Sequence, residues 1–142
     1  MPQPTVDDAR LLLQVYDMRR EAALRRARDF VGRQLKFKDF KDFNRKYKEG
    51  SKGAAAVAMA LGYWDLVCTL VAKGLVNEEL FQTTTFEHVS MWFKLKPVVE
   101  GWRVQYQYPA FAAHMEALAS RHPGAAMYKQ VAAAPAASKS RR

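Results

Sequence analysis

Apolar side chains recur along this chain at three- and four-residue intervals, and the runs that carry them are bounded by residues that start and stop α-helices. Thr5 followed by Asp8 matches a capping box, and Asp7 and Asp8 suit the positive end of a helix beginning there. Leu11, Val15, Met18 and Ala22 share one face of that helix; Tyr16, Ala23, Ala27 and Phe30 share another, so the spacing predicts one long helix to about Gln34 whose buried stripe drifts around its axis. A short amphipathic piece follows, Phe37 to Tyr47, with Phe37, Phe40, Phe43 and Tyr47 on one side, and Gly50 marks its end.

Ser51 can cap a third helix running through Lys73. That helix is apolar around most of its circumference, which predicts a central position, and Gly74 stands where a left-handed residue closes a helix. Asn77 opens a brief turn of helix through Phe81. Thr84 with Glu87 forms a second capping-box pattern ahead of a helix from Thr85 to about Tyr106, which Pro97 should kink or split. Pro109 fits the first turn of a last packed helix ending near Arg121. No strand alternation or hairpin signal appears. The expectation is an all-α fold, a compact bundle of about five to six helices in a single domain over 1–124, with an Ala/Ser/Pro-rich basic tail, 125–142, that stays flexible.

Composition agrees with a folded core: 49% of the 142 residues are hydrophobic against 26% charged. A lone cysteine, Cys68, leaves the fold to packing alone and suits a reducing compartment. The first residues lack a cationic start followed by an apolar run, so the expected location is cytoplasmic. Charge changes the picture more. The net charge is +9, yet Gly53 to Arg121 carries five basic and six acidic residues, while 13 Lys/Arg fall between Arg19 and Lys52 against five acids. A polyanion is the natural partner for such a segment.

The middle of the chain, LGYWDLVCTLVAKGLVNEELF (Leu61 to Phe81) and FEHVSMWFKLKPVVEGWRVQY (Phe86 to Tyr106), places Asp65 in an apolar helix, then Lys73 to Val76, then Trp92, Pro97 and Arg103. In this pattern the chain resembles a group of bacterial helical proteins classed only as a domain of unknown function. The resemblance implies an all-helical fold and carries over no catalytic residue. Members of that group often have a preceding membrane helix, a feature that does not transfer to this sequence.

Candidate chemistry is sparse. His88, His114, His122 and Cys68 lack metal-ligand spacing, no glycine-rich phosphate loop follows a strand, and Cys68 sits among Leu66, Val67, Thr69 and Leu70 with no base beside it. The expectation is therefore no enzyme, no cofactor and no metal. Asp65 and Arg103 are charges isolated among Tyr63, Trp64, Trp102 and Tyr106, which predicts a structural ion pair between two helices. Arg19, Arg26 and Arg33, spaced by seven, would line one edge of the first helix, extended by Lys38, Lys41, Arg45 and Lys48 into a surface for phosphates. Glu21 with Arg25 and Asp29 with Arg33 would neutralise part of it. Phe86, Trp92, Phe93, Trp102 and Tyr108 exceed what a small bundle must bury, so some belong to an interface. The leading expectation is a helical protein–protein interaction module whose partner is another protein or, in a homo-oligomer, a second copy. The alternative is a non-specific nucleic-acid or polyanion binder; membrane binding and a small-molecule substrate are not expected.

Overall fold

Thr5 opens the first helix as its spacing predicts. In the computed structural model, which describes residues 2–133, its hydroxyl accepts from the Asp8 N–H (3.1 Å) and the Asp8 carboxylate accepts from the Thr5 N–H (2.6 Å), giving α1, Val6–Met18. The helix does not continue to Gln34. It stops after Met18, and Glu21 starts α2, Ala22–Asp29, by accepting from the Leu24 N–H (3.0 Å). The Arg28 guanidinium reaches back to the Arg19 carbonyl (3.1 Å), so the broken end of α1 is satisfied by α2 itself. Without a pause α2 passes into a π-helical turn, Phe30–Gln34, closed by the Leu35 N–H donating to Phe30 O at 2.9 Å.

Asp39 caps α3, Phe40–Lys46, and Ser51 caps α4, Lys52–Ala72, by accepting from the Ala54 N–H (3.1 Å). Gly50 and Gly74 flank α4 at φ +86° and +78°, the left-handed conformation that glycine adopts without a Cβ clash. Asn77 caps α5, Glu78–Thr84, as expected. The second capping box is not formed. Thr84 ends α5 with its hydroxyl on Leu80 O (2.7 Å), and Glu87 is drawn to Arg28 and Trp64 instead. Three charge-assisted or cross-helix donors hold that carboxylate more firmly than one exposed backbone N–H would. The next helix, α6, runs Glu87–Gln105 and contains Pro97 without splitting, held by buried Leu95, Val98 and Val99. Pro109 lies in the turn after it; α7 is Ala113–Arg121.

The tail drawn from 125 begins with a further helix, α8, Ala125–Ala133. Ala125 is buried, and the Tyr128 ring stacks on Phe93 (5.5 Å, 2° between planes). Residues 134–142 lie outside the described residues. Among those described there are eight α-helices, more than the expected five to six, and no strand. The excess arises where the first predicted helix breaks and where the tail packs.

The fold is all-α, a single body centred on α4, which packs against α2, the π-turn and α7, while α6 joins α7, α3 and α8. Trp64, Trp92, Phe43, Phe81, Leu61 and Leu95 are fully buried, each worth about 1.5–3 kcal/mol of burial. The interior also holds polar groups. Glu87 takes a forked pair from Arg28 (2.6 and 2.5 Å) and the Trp64 indole N–H (3.0 Å). Burial pushes its pKa up, but the Arg28 and Trp64 hydrogen bonds bring it below the usual glutamate value. Gln82 bridges His88 Nε2 (2.8 Å) and the Leu118 carbonyl (2.9 Å), and its own carbonyl meets His122 Nε2 (2.8 Å). His88 is wholly buried and its Nδ1 has no hydrogen-bond partner. Burial, aided by His122, lowers its pKa to about 3, so it is neutral in the folded protein.

Candidate interaction groove

An aromatic-walled apolar concavity forms where two turns meet above α4. Its floor is Ala54, Ala55 and Ala58; its walls are Tyr47, Trp102, Tyr106, Tyr108 and Phe111; Asn44, Glu49 and Gln105 stand at the rim around a volume of about 530 Å³. The small floor follows from the alanine run that opens α4. Tyr47 is fixed by Gly53, where an added Cβ would lie 2.4 Å from its ring, and by edge contact with Phe30 (5.7 Å). Trp102, Phe111 and Tyr108 follow one another at 6.2 and 6.3 Å between ring centres. Tyr106 and Tyr108 are more than half exposed. The Tyr106 hydroxyl donates to Glu49 (3.2 Å), and the Asn44 amide to Gln105 (3.2 Å).

The α6–α7 turn that carries these aromatics is held in an uncommon shape. Gln107 and Ala112 have φ of +53° and +59°, left-handed values that cost a non-glycine residue about 1–3 kcal/mol each. Two charged residues stabilise that shape, and they are the two the sequence paired. Asp65 and Arg103 do not form an ion pair. The Asp65 carboxylate accepts from the Met115 N–H (3.3 Å), capping α7 from across the bundle because its own cap residue, Ala112, has no acceptor side chain. The Arg103 Nε–H donates to Phe111 O (2.8 Å) and its terminal nitrogen meets Glu116 (2.9 Å). The partners of both charges, a helix end and a carbonyl, come from a turn whose course the sequence pattern does not reveal.

The basic row is likewise rearranged. The break after Met18 takes Arg19 off the edge, and its guanidinium lies over the Tyr16 ring at 4.0 Å. Arg33 sits in the π-turn, paired with Asp29 at 3.1 Å, whereas Glu21 is spent on capping rather than on Arg25. Arg45 and Lys46 both engage Asp42, the latter at 3.3 Å, and Asp42 also accepts from the Lys38 N–H (2.9 Å). Those contacts lower the Asp42 pKa, the Lys38 backbone bond contributing most. The Lys38, Lys41 and Lys48 side chains are exposed, and Arg26 lines a cleft with Lys52 beside α4. A separate trio, Lys36, Lys38 and Lys94, surrounds a cleft of about 340 Å³.

Of the aromatics marked for an interface, Trp92 is buried and Phe93 is covered by Tyr128, while Phe86 is 38% exposed and Trp102 and Tyr108 line the groove. Tyr47, Tyr106 and Phe111 complete it and went unmarked; a tyrosine-rich run, Tyr106 to Phe111, was the available signal. Cys68 is buried and its thiol is pushed well up by that burial, so it is not poised as a nucleophile. Among the described residues no three His, Cys, Asp or Glu side chains converge as a metal site would require.

Neither a curated protein nor a solved structure matches this chain. A family model does, described as "Domain of unknown function (DUF4760)" and spanning residues 4–122, from before α1 to the end of α7, so the chain belongs to that family.

Proposed function

We propose that this chain is a non-enzymatic helical interaction module that engages another protein through the aromatic groove above α4. The observation that carries the reading is the groove itself: five aromatic side chains and three alanines around about 530 Å³, with tyrosines left more than half exposed. Tyrosine and tryptophan supply large, stiff contact area at little entropic cost, and they concentrate at protein interfaces. The unusual backbone at Gln107 and Ala112, held by Asp65 and Arg103, supports the same reading, because such strain persists where a surface must be presented in one shape. The buried, unpaired Cys68 fits a module working in the cytoplasm.

A photoreactive residue placed at position 108, and separately at the exposed position 41, tests this in living cells. The expected result is a protein cross-link from 108 alone that survives about 0.5 M salt and disappears with Trp102→Ala. Cross-links from 41 as strong as those from 108, or adducts with nucleic acid only, sink the reading. A second reading, polyanion binding, is favoured by the lysine trio: Lys94 has its pKa lowered by burial and then by the nearby Lys36 charge, and an anion would relieve that repulsion. It predicts heparin retention that weakens steeply with salt and falls on Lys36→Gln/Lys38→Gln.

A further inference from the structure

The helix α4 is apolar nearly all round, yet only half of its most apolar stretch is buried, and part of the remainder faces outward. Ala55, Ala58, Met59, Gly62 and Leu66 are all exposed, Met59 at 46% and Leu66 at 51%. At 100° per residue they fall within an arc of about 100°, a stripe about 16 Å long. The stripe leaves the aromatic groove at Ala55 and Ala58 and continues past Met59 to Leu66, bordered on the α2 side by two clefts that share Met59.

Gly62 is the informative position. Within the α-helices, Gly53 and Gly101 have their reason inside the fold: a Cβ would meet the Tyr47 ring at 2.4 Å or the Phe40 ring at 2.3 Å. At Gly62 nothing lies within 4 Å. A mid-helix glycine costs stability relative to alanine, and no contact among the described residues requires it here. Its place at the centre of an exposed apolar stripe is where a second backbone could come close.

The α2 flank of the stripe is cationic. Glu21 is occupied in capping α2 and Asp17 pairs with Arg20 at 3.7 Å, whereas Arg25, Arg26 and Lys52 are exposed and form no salt bridge among the described residues. A second copy of a chain of net charge +9 suits this flank poorly. We infer that the partner is an amphipathic helix whose apolar face lies along Ala55 to Leu66, crossing closely at Gly62, and whose flank carries carboxylates facing Arg25, Arg26 and Lys52. The inference rests on the interaction reading above and specifies what docks there.

Two synthetic helical peptides of about 20 residues test it, sharing a leucine face at i, i+3, i+4, i+7 and differing only in glutamate or lysine flanks. Fluorescence anisotropy is expected to show the glutamate peptide binding at least about tenfold tighter, with Met59→Lys abolishing binding and Gly62→Ala weakening it about fivefold. Gly62→Ala should at the same time raise the melting temperature by about 3 °C, an opposition that a merely structural glycine would not produce. The inference is overturned if both peptides bind equally, if neither binds, or if Gly62→Ala lowers the melting temperature. It is also overturned if light scattering gives a dimer that Met59→Lys dissolves, since a second copy is then the occupant, or if anionic vesicles bind in place of the peptides. Peptide binding lost with Trp102→Ala but unchanged in Met59→Lys and Gly62→Ala removes the α4 helix and leaves the groove reading standing. Absence of the position-108 cross-link removes the groove reading itself.

Discussion

The two sides of α4 are built on opposite rules. On the inner side, Trp64, Glu87, Arg28, Gln82, His88 and His122 form a set in which nearly every polar atom is met by another from the same chain, His88 Nδ1 being the exception. On the outer side, Met59, Gly62, Leu66, Tyr106 and Tyr108 present apolar surface that the described residues leave exposed. The first region is complete in itself and should fail by unfolding. The second is incomplete, and changes to it should be felt by a partner before they are felt by the fold.

The largest test removes one charge from the inner set. Arg28→Ala leaves Glu87 partly buried without its forked donor and should cost about 3 kcal/mol in chemical denaturation. A loss under about 0.5 kcal/mol would mean that the inner polar set is not a structural unit. Acid acts on the same region. His88 has a folded pKa of about 3 against an unfolded value near 6.5, so below pH 6.5 the unfolded chain binds a proton that the folded one refuses. Its contribution is fully present above pH 6.5 and is lost as the pH falls toward 3, about 2 kcal/mol by pH 5. Urea midpoints at pH 7 and pH 5 should separate accordingly, and His88→Gln should narrow the gap.

Gly101→Ala sharpens the contrast between glycines. Its new methyl meets the Phe40 ring and should cost about 1–3 kcal/mol, opposite in sign to the change expected at Gly62. The smallest effect is reserved for the outer side: Tyr106→Ala, alone or with Tyr108→Ala, should move the unfolding free energy by less than about 0.5 kcal/mol, and Tyr106→Ala by itself should abolish the cross-link from a photoreactive residue at position 108. A large destabilisation there would place those rings in the core's account rather than a partner's.

Helix ends written in adjacent residues were legible from the sequence. Thr5, Ser51, Asn77, Gly50 and Gly74 act where they stand because capping and left-handed closure involve groups within a few positions of each other. The all-α class followed from the same local signals together with the apolar period. What depended on remote partners was not legible. Glu87 left its capping box for Arg28, 59 residues away, and Asp65 and Arg103 turned from each other to the start of α7. The break that removes Arg19 from the basic row is likewise sealed by Arg28. A charge isolated in apolar sequence must find a partner, and the sequence can state that need. Which of several partners comes within 3 Å is a property of three-dimensional packing alone, and so is the face of an evenly apolar helix that the packed neighbouring helices leave exposed.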